Sequence, residues 1–323
     1  AVDYNNGSGS IWVSSDYGNT WASATTQPSN QGWFSVSLSS TGQYQTAVTA
    51  GGYIWVSSDY GANWAQMTAA GSRGWRSVSL SSTGQYQTAV VSGGSIWVSS
   101  DYGNSWSSTA SPQDWYSVSL SSTGQYQTAV VGGGANGNIY LSSDYGSTWI
   151  EKTGPGAPTV NQNWNSVSLS STGQYQTAVV FYGLIWVSSD YGNTWTQATT
   201  DTPRIWFSVS ISATGQYQTA VVINGYIWVS SDYGNSWASV TTQPSSQGWG
   251  SVSVSRSELF ALDVNGNVQA WSFTATSDYR IKENVRPITS TIDELQPHSY
   301  FNKLMGKEEM GFIAHELQDT FHF

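Results

Sequence analysis

One stretch of this chain is written again and again, and that repetition limits what the chain can fold into. Its second half, typified by Ile96-Trp97-Val98-Ser99-Ser100-Asp101-Tyr102-Gly103-Asn104-Ser105-Trp106, recurs with aspartates at Asp16, Asp59, Asp101, Asp144, Asp190 and Asp232. Their separations are 43, 42, 43, 46 and 42 residues. Its first half, typified by Trp75-Arg76-Ser77-Val78-Ser79-Leu80 and the run through Val91, restarts at Trp33, Trp75, Trp115, Trp164, Trp206 and Trp249. A fixed period in this range marks a repeat architecture in which each unit is one supersecondary element.

Each unit reads as strands. Ser-Val-Ser-Leu-Ser alternates small polar with apolar, the period of a strand with one buried face. Ser-Thr-Gly-Gln is turn chemistry. Gln-Thr-Ala-Val-Val is a second strand, Ile-Trp-Val-Ser-Ser a third, and the Trp after Asp-Tyr-Gly opens a fourth. Four short antiparallel strands in one period is the size of a β-propeller blade. The expected fold is therefore all-β, with a short α+β segment at the C-terminal end. Five complete repeats run from Trp33. A partial repeat precedes them, with Ala1–Tyr4 as its second strand, and a degenerate one follows from Trp249. Because both ends carry a recognisable second strand, seven blades are favoured; six would result if the ends combined into one closing blade.

Composition changes near Ser277. Residues 278–323 hold 13 charged side chains in 46 positions, against 17 in the 277 before them, which places a boundary between a propeller over 1–273 and a separate segment over 274–323. The net charge of −10 argues against nucleic acid or anionic membranes as partners. No apolar run approaches transmembrane length and no secretory leader opens the chain, so membrane insertion is not expected. With no cysteine there is neither a disulfide nor a thiolate metal site, and no metal or cofactor is expected.

Ser-x-Asp-x-Gly-x-x-Trp, as in Ser188, Asp190, Gly192 and Trp195, resembles the Asp box, or BNR repeat, of sialidases and many other propellers. All six copies fit it. The Asp can accept bonds from the backbone of its own turn, and the Trp can plug the hairpin. The resemblance places the motif at the blade periphery, so Asp16, Asp59, Asp101, Asp144, Asp190 and Asp232 are read as structural, not as acids, bases or metal ligands.

The tail carries a second resemblance. Ser277-Asp278-Tyr279-Arg280-Ile281-Lys282-Glu283-Asn284-Val285, then Leu295-Gln296-Pro297 with Tyr300, then Gly311-Phe312-Ile313-Ala314 with Glu316-Leu317, is similar to the intramolecular chaperone of phage tail spikes and endosialidases, the S74 peptidase family. That resemblance implies a virion or extracellular setting, homotrimeric assembly and release by one cut between Ser277 and Asp278. Ser277 would be the nucleophile and Lys282 the base that activates it. Short helices are expected near Thr291–Glu294 and after Met310.

Glycosidase activity is not expected. A sialidase clamps a carboxylate with three arginines, but of Arg73, Arg76, Arg204 and Arg256, the four up to residue 276, none lies in an Arg-Ile-Pro motif, and Pro203-Arg204-Ile205 has the wrong order. The acidic residues outside the Asp boxes there, Asp3, Asp114, Glu151, Asp201, Glu258 and Asp263, fall at unmatched positions. A virion appendage that binds a host-surface glycan or a virion protein fits better, with a glycoside hydrolase or a scaffold for protein assembly as alternatives. Candidate sugar-stacking rings are Trp33, Trp75, Trp115, Trp164, Trp206 and Trp249, with the third-strand Trp12, Trp55, Trp97, Trp186 and Trp228 beside them; packing between blades is the competing role for each.

Overall fold

A computed structural model describes residues 2, 9–16, 18–24, 31–133, 137–153, 162–198, 202–241, 247–254, 282–287, 298–302 and 307–311. The chain divides into two compact units, Ala1–Trp271 and Ser272–Phe323.

The first unit is a succession of four-stranded antiparallel blades of a β-propeller. In one blade the strands are Arg73–Leu80, Gln87–Val91, Ile96–Ser99 and Ser107–Ser108, each paired with the next. The first, which we call inner, alternates as its sequence demands: Trp75, Val78 and Leu80 are buried, and Ser77 and Ser79 are half-buried. The second is buried at every position. That is why Gln-Thr-Ala-Val-Val shows no polar alternation, as expected of a strand covered on both faces. The fourth is two residues long, because it only closes the hairpin begun at the Asp box.

Four more complete blades have inner strands Trp33–Leu38, Trp115–Leu120, Trp164–Leu169 and Arg204–Ile211. The incomplete N-terminal repeat pairs Trp12–Val13 with Ala22–Ser23, and Val2 bridges Ile11. The final repeat is described through Val254; its second and third strands, expected at 259–264 and 268–271, lie outside the described residues.

Polar ladders join successive blades. Along the inner strands, the Ser35 and Ser37 hydroxyls accept the backbone N–H groups of Val78 and Leu80 at 3.3 and 3.2 Å. Ser77 and Ser79 do the same for Val118 and Leu120, and the pattern continues blade by blade to Ser208 and Ser210, which accept from Val252 and Val254. These N–H groups face away from their own sheet, and a buried donor without a partner is costly. The Ser-x-Ser spacing thus supplies acceptors at the strand period.

A second ladder is buried. Thr46, Thr88, Thr128 and Thr177 each donate a hydroxyl to the side-chain oxygen of a Gln in the next blade, Gln87, Gln127, Gln176 and Gln218, at 2.6–2.7 Å. Each Gln also donates its amide to the carbonyl of its own turn glycine, as Gln127 does to Gly124 at 2.9 Å. Gly124 itself has φ +80° and lies so close to the previous blade that a Cβ would meet Tyr86 Cβ at 2.6 Å. Only glycine meets both conditions.

The second unit contains a three-stranded antiparallel sheet, with Lys282–Pro287 paired to His298–Asn302 and that strand to Lys307–Gly311. The helices expected near 291–294 and after 310 lie outside the described residues.

Candidate functional site

The Asp boxes are self-contained turns. In the box of Asp101, Oδ1 accepts the Ser99 hydroxyl at 2.8 Å and the Ser105 N–H at 2.9 Å, and Oδ2 accepts the Ser105 hydroxyl at 2.6 Å. The Ser99 hydroxyl accepts the Gly103 N–H at 2.9 Å, and the Trp106 indole donates to the Gly103 carbonyl at 2.9 Å. Asp16, Asp59, Asp144, Asp190 and Asp232 repeat the same contacts, with Thr20, Asn63, Thr148, Thr194 and Ser236 in the place of Ser105. With both oxygens occupied by their own turn, these carboxylates have little left to offer a substrate. Among the described residues, no three His, Asp or Glu side chains gather in a way that could hold a metal ion.

The hydrogen bonds also depress the carboxyl pKa values. Asp16 is held down at about 2, chiefly by the Thr20 hydroxyl and N–H. Asp59 is lowered by Asn63. At Asp101, Asp144, Asp190 and Asp232, burial pushes the pKa upward, but the bonds from the turn outweigh it and the net shift is down. A lowered carboxylate binds fewer protons when folded than when unfolded. Its contribution to stability is complete above about pH 5 and drains away as the pH falls through the folded-state values. Melting temperature is therefore expected to hold level from neutrality to about pH 5 and then decline steadily towards pH 2; a flat profile across that acid range would remove the structural role assigned to the six boxes.

After five of the box aspartates, a tyrosine takes a left-handed conformation, with φ of 61–64° at Tyr60, Tyr102, Tyr145, Tyr191 and Tyr233. Its N–H donates to a glutamine carbonyl of the same blade, as Tyr102 does to Gln85 at 3.1 Å. The rings of Tyr102, Tyr145, Tyr191 and Tyr233 stack on Tyr44, Tyr86, Tyr126 and Tyr175 of the preceding blade, with centroids 4.3–4.6 Å apart.

The tryptophans divide by burial. Trp33, Trp75, Trp115, Trp164 and Trp206 are 0–1% exposed, and Trp249 is 8% exposed. Such rings have no face to give a sugar, so the stacking role considered for them yields to packing. Edge-on contacts with the third strand hold them, as with Trp33 on Trp55 and Trp115 on Tyr140. Among the third-strand rings, Trp186 is buried, Trp55, Trp97 and Trp228 are half-buried, and Trp12 is 41% exposed.

A carboxylate clamp would need its arginines gathered with their guanidinium edges free. Arg73 and Arg204 instead lie over the Trp97 and Trp228 rings, at 4.6 and 4.2 Å from the centroids. Arg256 lies outside the described residues. So do Asp3, Asp201, Glu258, Asp263 and Ser277. Lys282 is on the first strand of the C-terminal sheet. Asp114 accepts the Ser92 hydroxyl and Glu151 the Asn138 amide, each at 2.5 Å. Among the described residues, these positions form no acid–base pair of a hydrolase.

Arg76 is placed differently, and strand alternation alone did not single it out. In each complete blade the register between the inner and second strands slips directly after the tryptophan: Trp75 pairs with Val91 and Ser77 with Val90, which leaves Arg76 unpaired. The same bulge isolates Phe34, Tyr116, Asn165 and Phe207. These are the residues at which the inner strands differ, whereas the Trp and the Ser-Val-Ser on either side do not change. The Arg76 guanidinium lies 5.2 Å from the Phe34 ring centroid and 4.4 Å from that of Tyr116, one blade to each side. Asn165 donates its amide to the Phe207 carbonyl at 2.7 Å. Phe34 is 40% and Phe207 36% exposed. Comparing the repeats with one another, position by position, would have found this row from sequence.

Two family models match. The BNR-Asp box repeat matches 11–24, 54–67, 185–198 and 227–240. Chaperone of endosialidase, Peptidase S74, matches 277–322. No curated protein matches the sequence. Solved structures share the propeller fold. The β-propeller domain of Cps50 (Swd1) from Myceliophteria thermophila superposes with a TM-score of 0.59 at 12% identity, over 85% of this chain and 96% of that one. An ancestral GH74 enzyme gives 0.58 at 13% identity, over 94% and 48%. YCF48 bound to D1 peptide gives 0.56 at 16% identity, over 73% and 76%. At these identities the likeness is one of fold.

Proposed function

We propose that this chain, an Asp-box propeller followed by a chaperone-of-endosialidase segment, is the binding head of a virion appendage such as a tail fibre. On this reading the propeller holds a host-surface glycan without cleaving it, and the C-terminal segment drives assembly into a trimer. The observation that carries the proposal is the pairing of the chaperone match at 277–322 with a propeller whose box carboxylates are all committed to their own turns. The chaperone match by itself suits a virion hydrolase as well as a binding head; the commitment of the box carboxylates to their own turns favours the binding head. Retention of a scaffold role for protein assembly, the remaining alternative, would leave that segment unexplained.

In the same proposal the segment frees itself by one cut: the Ser277 hydroxyl loses its proton to Lys282 and attacks the Ser277 carbonyl carbon, the C–N bond to Asp278 breaks as Lys282 passes that proton to the departing Asp278 amine, and water opens the four-membered lactone to the free Ser277 carboxylate. The test uses the full chain on a glycan array, with a turnover assay on any ligand found, and native mass spectrometry beside it. Binding without turnover, a trimeric mass and a fragment starting at Asp278 that is missing from Ser277→Ala are expected. Glycan turnover abolished by one carboxylate substitution would replace the binding head by a hydrolase. An uncut monomer in both chains would remove the assembly and cleavage parts.

A further inference from the structure

The inner strands repeat Trp-x-Ser-Val-Ser with one free position, and the fold isolates that position on a bulge in each complete blade. A bulge frees a residue from the ladder and re-aims its side chain, which is how sheets commonly present functional groups. Successive inner strands lie side by side, because the serine hydroxyls of one accept from the backbone of the next. The bulge positions therefore form one row, Phe34, Arg76, Tyr116, Asn165 and Phe207. Between the Trp and the Ser-Val-Ser, which do not change, it is where the side chains of near-identical blades differ.

We infer that this row is a binding site for a saccharide bearing a carboxylate, with Arg76 as the residue that recognises the acid group. Arg76 is the one charged residue among the five bulge positions, in a chain of net charge −10. Phe34 and Tyr116 bracket it, one blade to each side, so two rings hold the guanidinium in place. A fixed guanidinium edge matches the two oxygens of a carboxylate. No carboxylate among the described residues forms an ion pair with it. The partly exposed rings of Phe34 and Phe207 offer apolar faces of the size of a sugar ring, and the Asn165 side chain lies between Tyr116 and Phe207 in the row. A hexuronate oligosaccharide has this combination of ring faces and carboxylates.

The inference rests on the glycan-binding reading above, and the experiment separates the two. Binding of a hexuronate oligosaccharide and of its carboxyl-reduced, neutral counterpart is measured by calorimetry on the full chain, for wild type, Arg76→Gln, Arg76→Lys and Phe34→Ala. Wild type should prefer the acidic ligand by on the order of tenfold, the gain of a charge-assisted pair. Arg76→Gln should abolish that preference while leaving the neutral ligand's affinity in place. Arg76→Lys should retain part of the preference, and Phe34→Ala should weaken both ligands together. Equal melting temperatures across the variants would tie these effects to recognition. A preference that survives in Arg76→Gln overturns the inference and leaves the glycan-binding reading standing. Failure of wild type to bind either ligand overturns the inference, and failure across the whole array overturns both. An acidic peptide that competes as well as the sugar would also overturn the assignment of a saccharide.

Discussion

Trp75→Ala is expected to destabilise the propeller by about 3–5 kcal/mol, the usual cost of emptying a large buried aromatic site. Trp75 is 0% exposed, and its ring meets Trp97 edge-on with centroids 6.1 Å apart. Its indole N–H donates to the Gly52 carbonyl of the previous blade at 3.1 Å, so the truncation both opens a cavity and strips an acceptor of its donor. The buried neighbours Val48, Ile54 and Leu80 belong to two blades, and they cannot close the gap without moving one blade against the other. Trp12→Ala, at a ring 41% exposed, should cost far less. Denaturant unfolding of both variants measures the contrast. Equal small losses would show that the first-strand tryptophans do not form the core, and would reopen them as ligand contacts.

Gln127→Ala is expected to cost roughly 2–5 kcal/mol, because it leaves two buried polar groups without partners at roughly 1–3 kcal/mol each. The Gln127 side-chain oxygen accepts the Thr88 hydroxyl at 2.7 Å, and its amide donates to the Gly124 carbonyl at 2.9 Å. Gln127 is 1% and Thr88 0% exposed, so water is not at hand to replace either bond. The informative comparison is the double variant Thr88→Val with Gln127→Ala. Having no hydroxyl left to strand, it should lose less than the sum of the two single changes. Strict additivity in a chemical unfolding cycle would mean that this pair does not couple the blades.

The blade itself could be read from the sequence because strand alternation and turn residues agree in every copy. The strands at Trp33–Leu38, Gln87–Val91 and Ile185–Ser188 stand where the period places them. What lies between blades was harder to read. Ser77 and Ser79 look in sequence like the wet face of a strand, yet their hydroxyls cap the backbone of the next blade. Nothing in one repeat reveals this, because the partner lies a full period away. The tryptophans misled for a related reason: a large aromatic suits a core and a sugar site equally, and only burial distinguishes them. Arg76 was overlooked because simple alternation has no place for a bulged residue.

Each seam between the complete blades uses the same hydroxyls, amides and turn backbones, so one blade's leading face fits the trailing face of another. Cutting out or inserting a whole period at the level of the gene would bring together two surfaces that already match. What such an event could not restore is the order of Phe34, Arg76, Tyr116, Asn165 and Phe207. An ancestor of this chain could therefore reorder that row by shuffling interchangeable segments, with no new contact to evolve at the joins.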